Sequence, residues 1–117
     1  MLDWMIAGET LEVIAERSRR QILDELLNGE QSVNALVGRL SMTQPAVSKQ
    51  LRVLRDAGLV SVRPDGQKRF YRLRLEPLVE LDQWLQPYRE MWRTSLDRLE
   101  RHLAEPQPPQ SARRKRT

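Results

Sequence analysis

The chain has no cysteine among its 117 residues. Disulfides, thiolate metal sites and cysteine nucleophiles are excluded in one step. No apolar run approaches the roughly 20 residues needed to span a bilayer. The opening residues, Met1-Leu-Asp-Trp-Met-Ile-Ala7, have no positively charged start and only a short apolar run, which argues against a signal peptide. The expectation is a cytoplasmic protein that engages no membrane. Also missing are a Gly-rich phosphate loop, a nucleophile–base pair and a cluster of metal ligands. The sequence therefore predicts neither an enzyme nor a bound cofactor. Its length fits one domain, residues 1–104, with a tail at 105–117. A domain this small buries proportionally little surface, so a dimer interface would help it.

What the chain does have is segregated charge. The net charge of +4 conceals −4 over residues 1–30, +7 over 31–75, −2 over 76–104 and +3 over 105–117. Evenly mixed surface charge would not look like this. A basic middle between acidic segments is the footprint of a surface that meets a polyanion.

Within that middle, Ser41-Met-Thr-Gln-Pro-Ala-Val-Ser-Lys-Gln-Leu-Arg-Val-Leu-Arg-Asp-Ala-Gly58 reads as a helix over 43–57. Thr43 can cap it, Pro45 suits its first turn, and Gly58 can take the left-handed conformation that ends it. Val47, Leu51 and Leu54 form one apolar stripe at i, i+4, i+7. Gln44, Ser48, Lys49, Arg52 and Arg55 lie off it. These side-chain types reach base edges and phosphates in a major groove. Alone, the segment would better fit an ordinary amphipathic helix with a solvated basic face, since such helices are common.

Its neighbours decide the matter. Residues 2–15 read as one helix or two short ones, with Gly8 marking a break or bend. Ser18-Arg-Arg-Gln21 fits a capping box ahead of Ile22, Leu23, Leu26 and Leu27, and Asn28-Gly29 ends that helix. Ser32 can cap a short helix carrying Val33, Leu36, Val37 and Leu40. Two short helices around a tight joint, the second basic outside, are a helix-turn-helix pattern. The hydrophobic period then changes to two. Leu59, Val60 and Val62, the turn Pro64-Asp-Gly-Gln67 and the return Lys68–Arg74 make a hairpin over 60–74. Tyr71 and Leu73 share one face of it, Phe70 and Arg72 the other. Arg63, Lys68 and Arg69 lie around its free tip. The expected fold is mainly α with a small β-hairpin, a winged helix-turn-helix of order α-α-α-α-β-β-α.

Residues 77–104 read as one long helix, bent at Pro87. Leu78, Leu81, Leu85, Tyr88, Trp92, Leu96, Leu99 and Leu103 recur at spacings of three and four, a stripe of coiled-coil type. A domain this small has too little surface of its own to cover that stripe. The expectation is a homodimer joined through Leu81, Leu85, Tyr88, Trp92 and Leu96, together with Leu2 and Met5 of the first helix. Trp84, Tyr88 and Trp92 could instead line an apolar pocket, although aromatics at helical spacing usually serve as core. The tail is proline-rich, then basic, with no periodicity. It reads as disordered, either solubilising or adding a phosphate-binding arm.

Ser18-Arg-Arg-Gln-Ile-Leu23, Ser32-Val-Asn-Ala-Leu36, Thr43–Val60 and Asp65-Gly-Gln-Lys-Arg-Phe-Tyr-Arg-Leu73 together resemble the ArsR/SmtB family of prokaryotic winged-helix repressors. The resemblance covers about residues 9–104. It implies a homodimer that sits on an operator and blocks transcription, often of its own operon. By the same resemblance Gln44, Ser48, Lys49 and Arg52 face DNA, and Lys68 and Arg69 lie on the wing; Thr43 at the helix start and Arg63 near the hairpin tip join them as DNA-binding candidates by their places in the sequence. Trp84–Trp92 looks like the branch that lacks a metal site. Many members do bind metal across the last helices, and His102-Leu-Ala-Glu105 matches half of such a site. Arg89 and Met91 stand where the other half would be, and two ligands cannot fill a tetrahedral shell.

The expected function is a homodimeric, sequence-specific DNA-binding transcriptional repressor acting on a palindromic site of double-stranded DNA, with a small-molecule effector or partner protein as candidate inducer. The alternative is a winged-helix interaction module that docks an acidic protein or RNA on the same surface.

Overall fold

A computed structural model describes residues 2–104, with side chains from Gly8 onward. The elements run α1 (Leu2–Ile14), α2 (Arg17–Leu26), β1 (Gln31–Ser32), α3 (Val33–Arg39), α4 (Gln44–Asp56), β2 (Val60–Asp65), β3 (Lys68–Leu73) and α5 (Glu76–Ala104). They divide into two compact units, one ending at Trp84 and the other starting at Leu85. The side chains of Leu2 and Met5, the tail and Glu105 lie outside the described residues.

The first unit is built around α4. Its stripe of Val47, Leu51 and Leu54 is fully buried. Ile22, Leu23 and Leu26 of α2, Leu36 of α3, Leu59, Val60 and Tyr71 complete the core. Each such side chain contributes about 1.5–3 kcal/mol by leaving water. The ends of α4 follow from its sequence. The Thr43 hydroxyl accepts a hydrogen bond from the Ala46 N–H at 3.3 Å, and Pro45 sits in the first turn. Gly58 has φ 76°. There the Leu59 N–H bonds back to the Leu54 carbonyl at 2.9 Å, closing the helix with a left-handed cap. Ser32 caps α3 in the same manner as Thr43, accepting from Ala35 at 3.2 Å.

Of the two arrangements expected for the first segment, one helix or two, α1 is one helix with no break at Gly8; a mid-helix glycine costs up to about 1 kcal/mol but does not forbid helical geometry. Two other expectations are corrected. Ser18 does not cap α2. The helix begins one residue earlier, at Arg17, with Glu16 in the capping position, and the Ser18 hydroxyl instead donates to the Glu16 carboxylate at 2.6 Å. Finally, the hairpin is not two-stranded. Gln31 and Ser32 pair antiparallel with Tyr71 and Phe70, giving a three-stranded sheet of order β1-β3-β2. Two residues are too few for an alternating pattern to reveal a strand.

β2 and β3 pair from Val60↔Leu73 to Asp65↔Lys68, and the turn is made by Gly66, φ 64°, and Gln67. Pro64 is tolerated because β2 is an edge strand. α5 takes Pro77 in its first turn and continues through Pro87. Leu81 is buried in the first unit. In the second unit Tyr88, Trp92, Leu96, Leu99 and Leu103 are all about half exposed or more, Trp92 at 65%. Among the described residues no helix is long and apolar enough to cross a membrane.

Leu51 touches the centre of this arrangement, so Leu51→Ala should remove about 2–5 kcal/mol of stability through lost burial and a residual cavity. Urea denaturation measures it; a loss below about 1 kcal/mol would show that the core is not centred on α4.

Candidate nucleic-acid interface

Burying one side of α4 exposes the other. Gln44, Ser48 and Arg52 follow one another at intervals of four, and Lys49 lies one step around; all four are exposed, as is Thr43 at the helix start. Residues four apart lie along one line of a helix. The polar edge therefore presents amide, hydroxyl, ammonium and guanidinium groups in sequence, the donors and acceptors that a base-pair edge can read.

The rotation of α4 is held on its flank by a network that the sequence reading missed. Gln50 accepts from Arg19 Nε at 2.9 Å and donates to Glu16 at 2.8 Å. Arg19 also pairs with the Glu16 carboxylate at 2.9 Å. The three side chains close a triangle between the start of α2 and the middle of α4. Separations of 31 and 34 residues give no local signal for it. The only hint was a polar glutamine between Lys49 and the buried Leu51.

The hairpin carries Lys68 and Arg69 beside its turn, both exposed. Among the described residues neither forms an ion pair. Arg63, expected among the groups at the tip, lies further back and is engaged within the sheet. Its Nη2 is 2.6 Å and its Nε 3.2 Å from Glu30 Oε1, and its Nη1 is 3.7 Å from Asp65. Its guanidinium carbon also stands 5.0 Å from the centre of the Phe70 ring. The sequence could not show this, because Glu30 is 33 residues away.

No group of three or more His, Asp or Glu side chains able to hold a metal occurs among the described residues. Tyr88 and Trp92 stand exposed on α5.

The hydrogen bonds from Arg63 hold the Glu30 carboxyl below the usual 4.5, and the nearby Arg63 and Arg72 charges add to the effect. A carboxylate with a lowered folded-state pKa stabilises the fold above its unfolded value; that contribution disappears as pH falls through the folded value. An NMR titration should find the Glu30 midpoint below 4.5, returning towards it in Arg63→Gln. A midpoint unmoved by that substitution would contradict the pairing.

Comparison with known proteins follows the same elements. The family model described as bacterial regulatory protein, arsR family, matches residues 16–62, from the Glu16 anchor into β2. The biofilm growth-associated repressor of Agrobacterium fabrum is 41% identical over 63 residues, 54% of this chain and 54% of that protein. The transcriptional activator HlyU of Vibrio cholerae is 44% identical over 63 residues, 54% of this chain and 58% of its own length. The chain thus spans little more than half the length of these curated relatives. A solved structure described as a possible transcriptional regulator for arsenical resistance superposes with a TM-score of 0.62 at 40% identity, covering 83% of this chain and 98% of that one. The winged arrangement and the matched helices agree in both sequence and structure: this chain belongs to the arsR family of bacterial regulatory proteins.

Proposed function

We propose that this protein is a homodimeric, sequence-specific DNA-binding repressor of transcription. α4 enters the major groove of a palindromic operator, and the β2–β3 wing rests on the adjacent backbone. The observation that carries the reading is the two-sidedness of α4, with three apolar side chains fully buried and Gln44, Ser48, Lys49 and Arg52 exposed beside a wing bearing Lys68 and Arg69. Relatives named as a repressor and an activator support a role in transcription. In this account Gln44, Ser48, Lys49 and Arg52 read bases, while Thr43, Lys68 and Arg69 contribute phosphate contacts that carry affinity and salt dependence.

Two copies are joined through α5. Its row Tyr88, Trp92, Leu96 would otherwise leave large apolar side chains in water. Leu81 and Leu85 belong to the same row along α5, and Leu2 and Met5 are assigned to the same interface. Two-fold symmetry then relates two α4 helices, as a palindrome requires. Residues 1–104 form the functional domain, and the basic tail supplies a further non-specific attraction to DNA.

Two outcomes test this. Arg52→Ala should weaken operator binding by about 1–3 kcal/mol and blur base preference, measured by fluorescence anisotropy on the chain's own upstream DNA and on a scrambled duplex. An equal loss on both duplexes would remove Arg52 from base reading. Trp92→Glu should convert the dimer to a monomer in sedimentation without unfolding the protomer, because Trp92 is already 65% exposed within it. A variant that stays dimeric would displace the interface from α5.

A further inference from the structure

The wing is a narrow arm that must deliver Lys68 and Arg69 at a fixed angle, and β1 grips β3 through only two residue pairs. One face of β2 and β3 is secured by the burial of Val60 and Tyr71. The other face is secured by Arg63. In the β2–β3 register Arg63 stands opposite Phe70, and its guanidinium lies against that ring. Beyond the ring it meets Glu30, the residue immediately before β1. Because β3 is the central strand, this one side chain reaches from one edge of the sheet across the middle to the other. Arg72, which also lowers the Glu30 pKa, donates to Ser61 at 3.3 Å and ties β3 to β2 a second time.

The chemistry suits a brace better than a DNA contact. A guanidinium is a rigid planar fork, and two of its nitrogens are here seated on one carboxylate. With Nε and Nη2 seated on Glu30 and Nη1 3.7 Å from Asp65, a phosphate approaching Arg63 would have to compete with two carboxylates already beside it. Exposed ion pairs add little to global stability, so the value of this one is geometric. We propose that Arg63 is a positioning residue: held by Glu30 across β3, it fixes the angle at which the wing presents Lys68 and Arg69, and it binds no phosphate itself. The DNA side of this inference rests on the regulator reading above; the bracing of the wing does not.

The test is a double-mutant cycle on upstream DNA over a salt series, paired with amide hydrogen exchange of the hairpin in the free protein. Glu30→Gln and Arg63→Gln should each weaken binding about threefold to tenfold with an unchanged salt slope. Arg63→Lys keeps the charge but not the fork, and should fail to restore binding. Lys68→Ala should lower the slope by about one in the wild-type background. In the Glu30→Gln background it should cost less than about twofold, because the unbraced wing no longer delivers it. A merely stabilising pair would leave the full Lys68 effect in place, and that result overturns the proposal. So does tight binding by Glu30→Gln together with a reduced slope for Arg63→Gln, which would make Arg63 a phosphate ligand. In the free protein Glu30→Gln and Arg63→Gln should speed exchange in the hairpin, whereas Lys68→Ala should not. Unchanged exchange in Glu30→Gln overturns the brace whatever the DNA result. Wild-type protein that ignores DNA sequence defeats the regulator reading alone.

Discussion

The rest of the structure depends on the burial of Val47, Leu51 and Leu54. Once that stripe is inside, the axial rotation of α4 is set, and every polar residue on its far side must face outwards. The contacts that stabilise the core are therefore the same contacts that aim the exposed edge. The triangle of Glu16, Arg19 and Gln50 adds direction, because it grips α4 on one flank only. Turning α4 by a single residue would move its polar edge by about 100° and bring Ser48, Arg52 and Arg55, or Ala46, Gln50 and Val53, into the place of the buried stripe.

Electrostatics divides the work between elements. Residues 31–75 carry nine basic groups against two acidic ones. They are not equivalent. Lys49, Arg52, Lys68 and Arg69 project into solvent, whereas Arg63 is bound to an acidic residue from the preceding segment. Net charge draws a polyanion towards this side of the protein. On the reading proposed above, the cations left to meet it are those the fold has not already engaged.

Where the signal was local, the sequence was a good guide. Thr43, Pro45 and Gly58 marked the ends of α4, Ser32 marked the start of α3, and the stripe at i, i+4, i+7 identified its buried face. Where the deciding partner was distant, it was not. Ser18 looked like a cap because the motif was present, but Glu16 had a second task in holding Arg19 and Gln50. Gly8 looked like a break because propensity ignores the helix around it. β1 is too short to show a period, and the engagement of Arg63 by Glu30 becomes visible only when the strands are paired. The apolar row along α5 was legible as periodicity, since periodicity survives without any knowledge of what covers it.

The absence of cysteine makes one direct measurement practicable. Ser48→Cys gives a single thiol at the middle of the exposed edge of α4, to which an iron chelate can be attached for hydroxyl-radical cleavage of bound upstream DNA. If two copies each seat α4 in a major groove, cleavage will fall in two clusters, centred about one helical turn or a whole number of turns apart. Diffuse cleavage, or a single cluster, would contradict the account.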